Sequence, residues 1–384
     1  MSNINKIELQ SILRRYNNSK LTIVVLGSHS ALDVCRGAKD EGFKTLVVAQ
    51  KGREKTYNEY YKTHLLAEGK TTGCVDECIV VDSFKELLTT PVQKKLISRN
   101  SIFIPHRSFE VYLDFDYKHI EDIFAVPMFG NRYLLKIEER NVRPNQYDLL
   151  DKARIRTPIL FKNPKDIDRL SIVKVLEKER GFERAFFLVE NYKDYKSQLA
   201  KKLEEGTINE GQLENSVIEE YVVGVQVNFN FFYSLLHKRL ELLGTDTRRQ
   251  TNHEGIVKIP VDYQQKVLKK IAIKYEEAGH TGVTVLESML EKVYEIGERF
   301  VSTCNKLYPP GIIGPFALQS VITAGPPKKD IVVFDVSPRM PGSPGIAATP
   351  YSEYLFGQPV SMGKRIAMEI KEAVRGNILN SILT

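Results

Sequence analysis

The sequence predicts an α/β beginning followed by α+β segments, and four stretches carry that prediction. Leu21 to Leu26 is an apolar run of strand length, Gly27-Ser28-His29-Ser30 forms a turn, Ala31 to Glu41 is helical, and Thr45 to Ala49 is a second strand. Strand, small-residue turn, helix and strand make one parallel βαβ unit. From about Pro158 the texture changes. Ser171 to Val175 and Ala185 to Val189 read as strands around a charged loop, and Tyr195, Leu199 and Leu203 share one helix face. Gly224 to Leu243 then alternates as antiparallel strands broken near Ser234 to Arg239. Ile313 to Arg339 reads as a hairpin around a polar loop, Ala324 to Asp330.

The elements follow in order. A short helical lead, Ile7 to Tyr16, precedes the first strand, and Ser28 or Ser30 can cap the helix after it, making its N-terminus an anion site. The turn lacks the G-x-G-x-x-G spacing and gives no argument for NAD. Ile79-Val80-Val81 and Ser101 to Pro105 are further short parallel strands. The second ends in His106-Arg107-Ser108-Phe109, at the carboxyl end where open α/β sheets hold ligands. Ser216 to Val223 is a strand with Glu219 and Glu220 beside Tyr221, closing an αβ piece the size of a lid. Thr245 to Glu254 reads as a polar loop. Tyr263, Val267, Ile271 and Tyr275 mark one helix, and Leu286, Leu290, Val293, Phe300 and Cys304 mark another. Pro338 to Pro350 is a Gly/Pro-rich loop, and Ile366, Ile370 and Val374 line a terminal helix.

Composition bounds the function. A chain of 384 residues exceeds one simple core, so two or three domains are expected. The net charge of +7 suits an anionic small molecule at least as well as nucleic acid, and no Lys/Arg run resembles a binding tail. No apolar segment approaches the roughly 20 residues of a membrane span. Met1 to Lys20 is polar and mixed in charge, unlike a signal peptide. Cys35, Cys74, Cys78 and Cys304 form no disulfide framework, and Cys74-x3-Cys78 misses the common zinc spacing. Free thiols in a reducing cytoplasm are the expectation.

The chemistry concentrates in the Ile313–Arg339 hairpin, where Gln319 and Asp335 stand among apolar neighbours. Strict alternation points Asp335 the same way as Ile331 and Val333. A buried carboxylate without a partner is costly. Two oxygen-bearing side chains on paired strands, followed by an arginine, suit Mg²⁺ (or Mn²⁺) and the phosphates it carries. A solvent-facing hairpin fits the same alternation. By the same measure His29 fits a cap, Glu219 and Glu220 a half-exposed strand edge, Lys174 a surface lysine, and Arg248 and Asn252 an ordinary polar loop.

Several uncommon words decide among these readings. Leu26-Gly27-Ser28-His29-Ser30, Val126-Pro127-Met128-Phe129-Gly130-Asn131-Arg132, Ile218-Glu219-Glu220-Tyr221-Val222-Val223-Gly224, Gly314-Pro315-Phe316-Ala317-Leu318-Gln319 and Ser361-Met362-Gly363-Lys364-Arg365-Ile366-Ala367 resemble the archaeal formate-dependent 5-formaminoimidazole-4-carboxamide ribonucleotide synthetases, a family of ATP-grasp ligases. The resemblance runs from about residue 20 to the C-terminus. It implies an N-terminal α/β domain (1–130), a linker helix and ATP-grasp lid (131–223), and a C-terminal ATP-grasp domain (224–384). It implies an ATP-dependent ligase of purine biosynthesis that makes formyl phosphate from formate and ATP and passes the formyl group to 5-aminoimidazole-4-carboxamide ribonucleotide. Carried over position by position, it implies a metal pair at Gln319 and Asp335, a phosphate-contacting catalytic Arg339, and a lid lysine at Lys174. Glu219, Glu220, Tyr221 and Val222 match the adenine-contacting hinge, and His29, Ser108 and Asn252 match the nucleotide-substrate site. It also implies small-molecule partners, no nucleic acid or membrane, a homo-oligomer and a cytoplasmic setting.

The chain departs from the family pattern at the ATP lid and the substrate loop. Val175 to Ala185 holds one glycine and three glutamates where relatives have several glycines, with Arg180 and Arg184 as possible phosphate donors. Asp148 stands where many relatives carry an ATP-contacting lysine, with Lys152 one helical turn later. Asp335 takes the place of a longer glutamate in a more proline-rich stretch, and Arg249-Gln250-Thr251 replaces a Tyr-Glu-Ser run before Asn252. A ligase of another carboxylate or amine, or a non-catalytic purine-nucleotide-binding paralogue, fits these departures as an alternative.

Overall fold

The computed structural model describes residues 6–67, 69–139, 142–174, 186–206, 208–213, 216–271, 273, 277–325, 328–342 and 344–384. The expectation for the loop Val175 to Ala185, with Arg180 and Arg184, lies outside the described residues, as does Tyr275.

β1 (Thr22–Leu26) and β2 (Lys44–Gln50) flank the helix Ala31–Asp40, as the βαβ pattern predicts. A small ribbon, β3 (His64–Leu65) with β4 (Thr71–Thr72), precedes β5 (Glu77–Val81) and β6 (Ser101–Phe103). The parallel sheet runs β5-β2-β1-β6. Every residue of β1 is buried, as a strand covered on both faces requires. Ile23 and Val25 pack on one side with the helices Ala31–Asp40 and Met362–Arg375, and Val24 and Leu26 on the other with Phe103, Phe109 and Phe124. The chain's end is stitched back here: Met128 and Thr384 exchange backbone hydrogen bonds at 3.0 and 2.9 Å.

The second sheet, β7 (Leu160–Phe161), β8 (Ser171–Lys174), β9 (Phe186–Val189) and β10 (Val217–Glu220), is antiparallel in the order β7-β10-β8-β9. Tyr195, Leu199 and Leu203 of the helix Tyr192–Glu204 cover it, as their spacing predicts. The third sheet joins β11 (Val225–Ser234), β12 (Arg239–Gln250), β13 (Glu277–Gly282), β14 (Gly314–Thr323) and β15 (Asp330–Ser337) in the antiparallel order β13-β12-β11-β14-β15. One face packs Phe231, Phe316 and Val333 against Phe300 of the helix Leu290–Leu307. No helix among the described residues is long and apolar enough to cross a membrane.

Three local expectations change. The first half of the supposed loop Thr245–Glu254 continues β12 to Gln250, because its backbone pairs with β11 on one side and β13 on the other. β13 was not foreseen at all. Ser30 occupies the N-cap position of its helix without a side-chain capping bond; its hydroxyl instead donates to the Pro341 carbonyl at 3.0 Å.

Candidate active site

The antiparallel register lines up Asp246, Asn228, Gln319 and Asp335 as one row across β12, β11, β14 and β15. Directly paired residues share a face, so all four look to the same side of the sheet. Asp335 reaches that side through a bulge. Asp335 pairs with Gln319 and Val333 with Ser320, which leaves Phe334 as an extra residue. The bulge overturns the strict alternation expected from the sequence: Ile331 and Val333 enter the core against the helix Leu290–Leu307, while Asp335 is turned to the opposite face. Gln319 is buried with its amide nitrogen 3.5 Å from Ser337 Oγ, and no hydrogen bond or ion pair among the described residues engages the half-buried Asp335 carboxylate. Two hard oxygen donors side by side fit Mg²⁺, which binds through one or two protein oxygens and completes its shell with water and phosphate.

Lys174 ends β8 facing Val217 of β10, with its amine ion-paired to Glu219 and 5.6 Å from the ring centre of the bulge residue Phe334. Glu219 is buried and also accepts the Tyr147 hydroxyl at 2.9 Å. Glu220 points the other way and accepts the Ile159 N–H at 3.3 Å. Of the expected hinge, then, Glu219 is brought to the lid lysine Lys174 and Glu220 is not. Tyr221 and Val222 follow just past the strand, with Tyr221 exposed. Asp148 serves the fold: it closes a capping box with Asn145 and pairs with Arg143 at 2.9 Å.

Arg339 is buried among carboxylates. Its Nε lies 3.3 Å from Glu110 and its Nη2 3.0 and 3.1 Å from the two Glu138 oxygens. Arg107 adds contacts to Glu110, Glu138 and Glu139 at 3.3, 3.5 and 3.5 Å, and the Tyr117 hydroxyl sits 3.1 Å from both Glu110 and Glu139. Burial pushes the Glu138 carboxyl up to about 8; Arg107 and Arg339 oppose this, while Glu110 and Asp335 add to it. The guanidinium of Arg339 is thus taken up by glutamates, beside the Asp335 end of the row.

His29 lies near enough to Arg339 to feel its charge. It holds a left-handed backbone (φ 51°), a costly conformation for a residue with a side chain, and its ring stacks on His106 at 5.5 Å. Ser30 has one proton, given to Pro341, so its oxygen accepts from His29 Nδ1 at 3.0 Å. His29 therefore presents Nε2 as a lone pair, beside Gly342, where a Cβ would meet that atom at 2.4 Å. Surrounding protein holds the His29 pKa down, to about 3, with His106 and Arg339 adding to the effect; water at the exposed ring tempers the shift, and the neutral form follows. His106, fully buried, donates Nε2–H to the Leu26 carbonyl at 2.9 Å, and burial depresses its pKa to about 4. Ser108 joins the His29 turn by donating to Ser28 Oγ at 3.1 Å. Asn252 turns the chain just beyond β12 (φ 37°) and starts the helix His253–Val257.

Sequence reasoning missed a relay on the same face. His280 binds Asp246 through Nδ1 at 2.5 Å and Glu277 through Nε2 at 2.8 Å, and Asp246 accepts the amides of Asn228 and Asn230 at 2.9 and 2.6 Å. Burial alone would lower the His280 pKa, but its two carboxylate partners outweigh it and raise it to about 9. A histidine raised in the folded state stabilises fully below its unfolded value near 6.5, and the gain is lost as pH rises through about 9. We expect the wild-type protein to lose about 2–3 kcal/mol between pH 6 and 9.5 through this group. His280→Gln should flatten that slope in urea titrations at the two pH values. An equal slope in the variant would refute the relay's contribution.

A family described as a domain of unknown function (DUF1297) matches residues 194–384, and one described as a protein of unknown function (DUF1246) matches residues 23–161. A Methanosphaera stadtmanae protein named 5-formaminoimidazole-4-carboxamide-1-(beta)-D-ribofuranosyl 5'-monophosphate synthetase is 36% identical over 386 residues, covering 100% of both chains. A Methanocaldococcus jannaschii protein of the same name is 36% identical over 383 residues, covering 99% of this chain and 100% of its own. The crystal structure of an IMP biosynthesis protein PurP from Thermococcus kodakaraensis matches with a TM-score of 0.68 at 27% identity, covering 94% of this chain and 100% of its own. An ADP complex of N5-carboxyaminoimidazole synthetase from Staphylococcus aureus matches with a TM-score of 0.57 at 14% identity, covering 93% and 79%, and speaks for the fold alone. On a full-length identity of this size the chain belongs to the 5-formaminoimidazole-4-carboxamide ribonucleotide synthetase family, an ATP-dependent ligase built on the ATP-grasp fold.

Proposed function

We propose that the protein formylates 5-aminoimidazole-4-carboxamide ribonucleotide with formate and ATP, giving the formamido ribonucleotide, ADP and phosphate. The observation that carries the reading is the sheet face bearing the Gln319–Asp335 oxygen pair, with neutral His29 close enough to Arg339, Glu277 and His280 to feel their charges. A formate oxygen attacks the γ-phosphorus and ADP leaves. The substrate amine then attacks the formyl carbon, phosphate departs, and the nitrogen loses a proton. Gln319 and Asp335 would hold Mg²⁺, which when bound offsets the charge on the phosphates. Lys174, steered by Glu219 and Phe334, sits where it can release its ion pair to a nucleotide phosphate. The backbone beyond β10, at Tyr221 and Val222, offers donors and acceptors to adenine. His29 Nε2 accepts a hydrogen bond from a substrate N–H or O–H, with Ser108 and Asn252 as further substrate contacts, and Arg339 turns from Glu138 to phosphate when one is present. A cytoplasmic homo-oligomer acting on small molecules completes the reading, which takes these last features from family resemblance.

The test is purified protein with Mg-ATP and the ribonucleotide, with and without formate. Formate-dependent ADP matched by formylated product is the expected result. ADP formed only with another carboxylate, or nucleotide binding without product, would replace this reading.

A further inference from the structure

We infer that Arg248 anchors the phosphate monoester of the amine substrate, and that His280, clamped between Asp246 and Glu277, is the positioning residue that keeps Arg248 available for it. The inference rests on the proposed reaction and assigns a contact within it. Arg248 and His280 are direct partners between β12 and β13, and Asp246 lies two residues before Arg248 on the same strand. All three therefore share the face that carries Gln319 and Asp335.

The guanidinium is unevenly used. Its Nε lies 3.3 Å from Glu277 Oε2, buried and without an aligned hydrogen bond. No hydrogen bond among the described residues uses its two terminal nitrogens, and the side chain keeps 28% of its surface open. Arginine with an open fork is the side chain best matched to a phosphate's paired oxygens. Its place along the sheet says which phosphate. β12 lies three strands from β15 and Arg248 two residues along from the row, so at about 4.8 Å per strand and about 3.4 Å per residue it stands about 16 Å from Asp335. That span suits the two ends of a nucleoside monophosphate whose amine faces the metal-side phosphate, and it is too long for adjacent phosphates of one ATP. His29 feels the charges of Arg339, Glu277 and His280 alike.

His280 matters through competition. Glu277 divides its carboxylate, with Oε1 on His280 and Oε2 toward Arg248. Without the imidazolium, Glu277 can turn both oxygens onto Arg248 and close the fork against a ligand. Asp246, anchored by two buried asparagine amides, fixes the other side of the imidazole.

The experiment is calorimetric titration of 5-aminoimidazole-4-carboxamide ribonucleotide and of its phosphate-free riboside into the full chain. The wild type should prefer the nucleotide. Arg248→Gln should cut nucleotide affinity by roughly 10- to 100-fold while leaving the riboside within about 3-fold, the loss expected for a charge-assisted phosphate contact. His280→Gln should show a smaller loss of the same selectivity, and the double variant His280→Gln/Glu277→Gln should recover it by removing the competing carboxylate. Mg-ATP binding, measured alongside, reports that each variant is folded. An unchanged nucleotide-to-riboside ratio in Arg248→Gln overturns the inference. Failure of the double variant to recover overturns the role of His280. A wild type with no preference for the nucleotide would instead refute the substrate reading beneath it.

Discussion

Asp335→Asn is expected to slow formate-dependent ADP release by about a thousandfold, some 4 kcal/mol of lost stabilisation, while the affinity for the amine substrate stays within about threefold. The asymmetry follows from the row across the third sheet. Asp335 and Gln319 sit at its β14–β15 end, whereas Arg248 sits at the other. Asparagine keeps the shape and one oxygen but drops the charge that a Mg²⁺-held phosphate needs. Asp335→Glu should retain far more activity, since the charge survives and only the reach changes. The bulge at Phe334 is what brings the carboxylate to this face, and Phe334 also lies under Lys174. Steady-state ADP release across a Mg²⁺ titration checks the prediction: the asparagine variant should need far more Mg²⁺ for any given rate. Undiminished turnover at ordinary Mg²⁺ would remove Asp335 from the metal-binding role.

How much of this was legible beforehand depended on whether the signal was local. The apolar runs of β1 and β2 and the i+4 rows of Ile366 and Ile370 are periodic over short windows, so the first sheet and the terminal helix could be read from them. β13 could not: Glu-Ala-Gly-His-Thr-Gly has no apolar alternation, because an edge strand with little buried surface needs none. The bulge escaped for a related reason. Periodicity arguments assume an unbroken count of two, and one extra residue on β15 reverses every face assignment beyond it. In the site, His29, Glu219 and Gln319, embedded in distinctive words, and Lys174 and Asp335, matched by position, could be nominated from the chain alone. The Asp246–His280–Glu277 relay joins residues more than 30 positions apart and rests on register, which sequence spacing does not encode. The Arg339–Glu138–Glu110 cluster was hidden likewise, since Arg339 stands 229 and 201 positions from its two partners and only packing brings those charges together.

Gly37→Ala should destabilise the protein by about 3 kcal/mol, against the sign that helix propensity alone predicts. Alanine is favoured over glycine inside a helix by up to about 1 kcal/mol, and Gly37 lies within Ala31–Asp40. The tertiary term opposes this. That helix crosses Met362–Arg375 so closely that a Cβ on Gly37 would lie 2.1 Å from the Lys364 backbone nitrogen, and one on Gly363 would lie 2.2 Å from the Asp33 carbonyl oxygen. Neither obstacle is a flexible side-chain tip, so relief requires the helices to separate. Overpacking of this kind costs about 1–3 kcal/mol, with the upper end applying where backbone must move. Separation would also loosen Asp33, whose carboxylate accepts the Gly363 N–H at 3.1 Å and holds the start of the last helix. Gly255, in the helix His253–Val257, is the control. A Cβ added there would meet no described atom within 4 Å, so Gly255→Ala should be neutral or mildly stabilising. Urea midpoints of the two alanine variants measured together separate the terms. A stabilised Gly37→Ala protein would mean that the two helices are not in close contact in solution, and that the last helix is not docked on the first sheet's helix as described.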